Sequence, residues 1–181
     1  MLLHCTKRLA AKLPHDHFAN PSSAGSKDNH TQLGDWHGHL LLLDRRQCVM
    51  FCHDLTRYVL FLPGLRAAQF ADLGRWHREL FLATLAMQGL PSSHLTRLEL
   101  LMGSLQIDSQ TDRPVLGSLR VAADDLRYGS LPRVPNVLDL DPLVISHELN
   151  QRPCTVGKAL VWPAEAMRKV VEEATQPVGG S

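Results

Sequence analysis

Apolar residues gather into three runs in the first third of the chain, at 36–43, 47–53 and 58–62. Asp44-Arg45-Arg46 separates the first two, which predicts a β-hairpin with a three-residue loop. Asp54-Leu55-Thr56-Arg57 precedes the third run and Pro63-Gly64 ends it, so residues 36–62 read as an antiparallel meander. Both faces of these strands are largely apolar, so the sheet must be covered on both sides. Residues 2–6 and 105–109 add one or two further strands.

Elsewhere the period is helical. Residues 67–88 place Phe70, Leu73, His77, Leu80, Phe81 and Thr84 on one face, and Gly89 and Pro91 stop the helix. Gly74 weakens its first third, which shifts the expected start toward Arg75. Residues 7–13 form a short helix ended by Pro14. Residues 95–102 fit helix or strand. Ser118 is expected to cap a helix running to Tyr128, and Gly129 to Leu140 to be an extended connector. Asp141-Pro142 opens a helix ending near Asn150, and Pro163 opens a last one reaching Ala174. The pattern predicts an α+β domain over 1–174, a small antiparallel sheet packed with helices. Leu41, Val49, Phe51, Leu80 and Phe81 should lie in its core. A polar loop occupies 14–35 and a flexible tail 175–181.

Composition narrows the function. The chain has 181 residues, 44% of them hydrophobic, enough for a core without metal or disulfide staples. A formal net charge of +1 gives no support for a nucleic-acid partner, since phosphate neutralisation needs a basic excess. Arg outnumbers Lys 14 to 5, which suits fixed hydrogen-bonding forks. The four cysteines, at 5, 48, 52 and 154, form no C-x-x-C pair. No apolar run reaches the length of a membrane span and the first residues carry no signal-peptide core, so a soluble, cytoplasmic protein is expected.

Cys5-Thr6-Lys7, Trp36-His37 with Leu40, Asp44-Arg45-Arg46-Gln47-Cys48-Val49-Met50-Phe51, and Thr111-Asp112-Arg113-Pro114-Val115-Leu116-Gly117-Ser118 together carry a resemblance. Over roughly residues 1–160 the chain resembles an uncharacterised bacterial family, a domain of unknown function. It departs from that family's pattern at Pro114, where the family usually has Ser, and at His39, where it often has Asn. The resemblance implies a small soluble bacterial protein and no particular reaction.

Two constellations could carry chemistry. His37 and His39 alternate by two and share a strand face. A three-residue loop pairs Leu43 with Gln47 and sets His37 opposite His53, which gathers three imidazoles with Asp54 next in sequence. That set suits zinc or another divalent metal, with Asp54 as the base of a metal-dependent hydrolase of the phosphodiesterase or nuclease kind. A four-residue loop would turn His53 to the other face and dissolve the cluster. Cys48 and Cys52 share the face opposite His53, about 13 Å apart at ordinary strand rise, and read as buried structural thiols. The second constellation is Arg113 with Gly117 and Ser118, where a strand leads into a helix start. A guanidinium, a hydroxyl and free backbone N–H groups there favour an anion. Standard catalytic motifs fail: His147-Glu148-Leu149-Asn150-Gln151 ends in Gln where a zinc protease needs His. The leading expectation is therefore a non-catalytic binding or accessory module for a protein or an anionic ligand, ahead of the metal-dependent hydrolase.

Overall fold

The computed structural model describes residues 1–14 and 33–176. The predicted polar loop falls mostly, and the flexible tail partly, outside the described residues. The element order is β1 (Leu2–Cys5), α1 (Lys7–Ala10), β2 (Trp36–Leu43), β3 (Arg46–His53), β4 (Val59–Leu62), α2 (Ala67–Ala71), α3 (Leu73–Met87), α4 (Ser92–Leu101), β5 (Gln106–Asp108), α5 (Arg113–Asp125), α6 (Pro142–Asn150), β6 (Cys154–Val156), β7 (Ala159–Val161) and α7 (Pro163–Ala174). The class is α+β, as the pattern predicts.

The main sheet has five strands in the order β4-β3-β2-β1-β5, and β6 and β7 form a separate small hairpin. The meander β2-β3-β4 is antiparallel as expected. The two further strands, however, pair parallel, β1 against β2 on one side and β5 on the other, so the sheet is mixed. A strand of four residues carries no mark of its partner's direction. That direction follows from the crossover connections, which pass over the sheet through helices.

The hairpin turn also differs from expectation. Leu43 pairs with Arg46, not Gln47, leaving a two-residue loop with Asp44 at φ 47° and Arg45 at φ 60°. These are the left-handed values of a type I′ turn, whose twist matches that of the strands it joins. Gly in the second place would have announced it; Arg45 concealed it.

Two cores lie on opposite faces of the sheet. Leu3, Trp36, Leu40, Val49, Phe51 and Leu60 face α1, α3, α4 and α7, meeting Leu9, Leu80, Phe81, Leu98 and Met167. Leu41, Cys48, Met50, Cys52 and Phe61 face α5 and α6, meeting Val115, Leu119, Ile145 and Leu149. The predicted core residues are thus all buried, with Leu41 in the second core. α1 lies so close on β2 that a Cβ at Gly38 would stand 2.7 Å from Leu9 Cδ2.

The 67–88 helix is broken at Asp72 (φ −120°, ψ 33°) into α2 and α3. Residues 95–102 resolve as helix, α4. α5 begins at Arg113, five residues before Ser118, and the connector 129–140 contains short 3₁₀ turns at Leu131–Arg133 and Val137–Asp139. The exposed edge of β4 is closed by α6. Asn150 accepts from the Val59 N–H and donates to its carbonyl, each at 2.7 Å, while Ser146 Oγ accepts from the Phe61 N–H at 3.0 Å.

Candidate functional site

The register of the hairpin decides the fate of the three histidines. His37 and His39 do share a face, standing opposite Cys52 and Met50. His53 stands opposite Trp36, on the other face. The expected three-histidine cluster is therefore not formed, because the loop is one residue shorter than the reading required and one residue inverts the face. His53 is tied down at both nitrogens: Nε2 donates to the Leu33 carbonyl at 2.5 Å and Nδ1 lies 2.9 Å from Thr56 Oγ1. Among the described residues, no group of three or more His, Cys, Asp or Glu is arranged to hold a metal ion.

What His37 joins instead is a polar row across the parallel part of the sheet. In register, Asp108 of β5, His4 of β1 and His37 of β2 are neighbours. His4 Nδ1 lies 2.6 Å from Asp108 Oδ1, and His37 Nδ1 lies 2.7 Å from Asp54 Oδ1. The two imidazoles are 4.8 Å apart between centroids, and His4 Nε2 is 4.0 Å from Asp54 Oδ2. His37 Nε2 accepts the backbone N–H of Asp112 at 2.7 Å, so its proton sits on Nδ1, facing Asp54. Burial opposes a charged His4, but the hydrogen bond and charge of Asp108, with Asp54 and Asp35 behind, outweigh it and raise its pKa. This row pins the start of α5 and the β3–β4 turn onto the sheet. His4 and Asp108 were missed from sequence because their adjacency depends on parallel pairing over 104 residues.

The anion site read from sequence also changes shape. Arg113 is exposed in the first turn of α5, next to Pro114, the true start signal. Gly117 and Ser118 lie inside the helix, where Ser118 Oγ donates back to the Pro114 carbonyl at 3.4 Å instead of capping. Their backbone N–H groups belong to the helix ladder, so Gly117 and Ser118 do not form an anion-binding helix start with Arg113.

Two residues beyond His4 and His37 along the strands lies a groove of about 550 Å³ between α5, β2 and the end of β1. Thr6, His39 and Leu41 line it from the sheet. Leu116, Arg120, Ala123 and Asp124 line it from α5, and Arg127 and Tyr128 from the turn that follows. That turn, Leu126–Ser130, is a π-helical segment continuing directly from α5. Such segments are rare and recur at functional sites, because the inserted residue re-aims the side chains beyond it.

Two of the lining residues each carry a buried polar atom with no protein partner, Thr6 Oγ1 and His39 Nδ1, and neither atom is exposed to the groove's open space. Thr6 occupies the N-cap of α1, where its hydroxyl would ordinarily bond the first turn, yet it makes no such bond. His39 is held toward its neutral form by burial and by the nearby Arg8 charge, which lower its pKa. Arg127 lies 3.3 Å from Asp124, while Arg120 forms no ion pair among the described residues. Tyr128 is 75% exposed. Sequence reasoning found His39 but passed over Thr6, Arg120, Arg127 and Tyr128. The i, i+4, i+7, i+11 spacing of Leu116, Arg120, Ala123 and Arg127 was the available signal.

A family model for a domain of unknown function, DUF6933, matches residues 2–166. The chain belongs to that family. No curated protein and no solved structure matches the chain at a significant level. The DUF6933 match includes every residue that lines the groove and the whole polar row. Among the described residues no helix is long and apolar enough to cross a membrane.

Proposed function

We propose that this protein is a non-catalytic binding module for a small anionic ligand, held in the groove between α5, β2 and the end of β1. The observation that carries the reading is the groove itself. Its volume lies within the roughly 300–1,000 Å³ of small-molecule sites, and it combines apolar walls with a few convergent polar groups. Arg120 and Arg127, both exposed, line the groove with guanidinium groups suited to phosphate or carboxylate. Catalysis is not favoured, since both nitrogens of His37 are engaged and Asp54, the base of the hydrolase reading, is His37's partner.

The test is a melting curve of the purified protein in rising inorganic phosphate, with chloride at matched ionic strength as control. The melting temperature should rise with phosphate beyond the chloride control, and Arg120→Ala should abolish the excess while leaving the melt in chloride unchanged. Identical curves in phosphate and chloride would defeat the reading.

A further inference from the structure

The polar row holds two imidazoles with opposite freedom to accept a proton. His37 is 1% exposed and both of its nitrogens are committed. Its Nδ1–H faces Asp54 Oδ1 at 2.7 Å, and its Nε2 accepts the backbone N–H of Asp112 at 2.7 Å. A second proton on His37 has only Nε2 to go to. There it would set one donor against another and break the bond that ties the start of α5 to the sheet. His4 is arranged the other way. Its Nδ1 donates to Asp108 Oδ1 at 2.6 Å, while its Nε2 lies 4.0 Å from Asp54 Oδ2 and has no hydrogen-bond partner among the described residues. A second proton on His4 therefore breaks no bond and brings a positive ring up to a carboxylate. At 14% exposed, the His4 side chain is also the more open of the two to water.

The charged groups around His4 come from several elements and favour the same outcome. Asp108 ends β5, Asp54 lies in the turn after β3, and Asp35 precedes β2. Arg57, in the same turn as Asp54, donates to the Asp54 backbone carbonyl. Burial opposes a charge on His4, but the hydrogen bond and charge of Asp108, with Asp54 and Asp35 behind, raise its pKa above the usual imidazole value. From this arrangement we infer that His4 is a proton trap that protects the anchor of α5. As the pH falls, the row takes its proton on His4 Nε2, and the charged ring, 4.8 Å from His37 between centroids, opposes a second charge there. His37 stays an acceptor, and the bond to Asp112 survives. The row thus tightens on acidification, through His4 and Asp54, where an unguarded His37 would let go. α5 supplies Leu116, Arg120, Ala123 and Asp124 to the groove, so the trap keeps that wall in place whatever the groove binds.

Nitrogen-15 NMR of the histidine side chains, followed from about pH 8 to about 5, tests the trap. In the wild-type protein His4 Nε2 should gain its proton before His37 does. Through that step His37 Nε2 should keep the shift of a hydrogen-bonded acceptor, and the Asp112 amide should exchange no faster than its intrinsic pH dependence requires. His4→Gln keeps a side-chain donor for Asp108 and removes the titrating ring. In that variant His37 should take its proton about one pH unit higher than in the wild type, with Asp112 exchange about ten-fold faster across that step. Asp108→Asn, which touches neither His37 nor its partners, should move His37 the same way by less. If His37 protonates before His4 in the wild-type protein, the inference is overturned, and that result needs no variant to fold. It is overturned equally if the titration of His37 is unmoved in both variants.

Discussion

His37 shows how one side chain can organise a site without being its reactive group. Its ring joins the Asp54 carboxylate to the N–H of Asp112, so it ties β2 to the β3–β4 turn and to the entry of α5. His37→Ala would leave both partners without it, and an unsatisfied buried group costs about 1–3 kcal/mol. A loss of about 2–3 kcal/mol in urea denaturation is expected, with faster amide exchange at Asp112. His77 illustrates the opposite environment. It is fully buried, edge-on to Trp36 at 4.5 Å and Phe51 at 4.8 Å between ring centroids, and neither of its nitrogens has a partner. Burial, with the nearby charges of His53 and Arg78, lowers its pKa from 6.5 to about 3. Between those values the unfolded chain binds a proton that the folded one refuses, so stability falls as pH drops from about 6.5 toward 3. The slope from this one group is at most about 1.4 kcal/mol per pH unit. His77→Phe should flatten that limb in denaturant titrations from pH 7 to 4. His4 works with the opposite sign: its raised pKa adds stability as pH falls into its titration range, and His4→Gln should remove that gain.

At the scale of elements, the two-residue turn between β2 and β3 carries more than its length suggests. Asp44 and Arg45 both lie in the left-handed region, and Asp44 Oδ2 accepts the Val137 N–H at 2.8 Å. Asp44 is thereby committed to the connector before α6, while Arg45 is exposed and pays only the steric penalty of its conformation. Arg45→Gly should stabilise the protein by about 0.5–1 kcal/mol, seen as a higher urea midpoint with an unchanged slope. Asp44→Gly should not, since it loses the bond to Val137. α5 and its π-helical extension form the other composite element. The helix buries Val115, Leu119, Ala122 and Ala123 against the sheet, and Leu116, Arg120 and Asp124 beside them, with Ala123, supply one wall of the groove. Packing and binding thus use adjoining stripes of a single helix.

Across the whole molecule, the sheet's edges are treated unequally. β5 is a three-residue edge, too short to template another strand. β4 is apolar throughout and would be a hazard if left open, but Asn150 occupies the Val59 N–H and C=O and Ser146 the Phe61 N–H, as a side-chain substitute for a sixth strand. Asn150→Leu would strip Val59 of both bonds. The expected outcome is a loss of about 2–4 kcal/mol together with concentration-dependent association by light scattering. Unchanged stability would mean that α6 covers β4 by apolar packing alone.

The sequence by itself determined the elements whose signals are local. Short continuous apolar runs bounded by polar turns marked β2, β3 and β4, while Asp141-Pro142 and Pro163 marked the starts of α6 and α7, because such runs and helix capping are set within a few residues. It also marked His37 and His39 as sharing one face. The tertiary structure alone decided the rest. Whether His53 joins that face depended on a single residue of turn length, which the uncommon Asp44-Arg45 pair did not reveal. The parallel seating of β1 and β5, and with it the row from Asp108 to His37, required contacts between segments 33 to 104 residues apart. The groove followed only once α5 was laid across β2 and β3, since Thr6 and Arg120 line one space by proximity in the fold, and no pattern along the chain encodes that proximity.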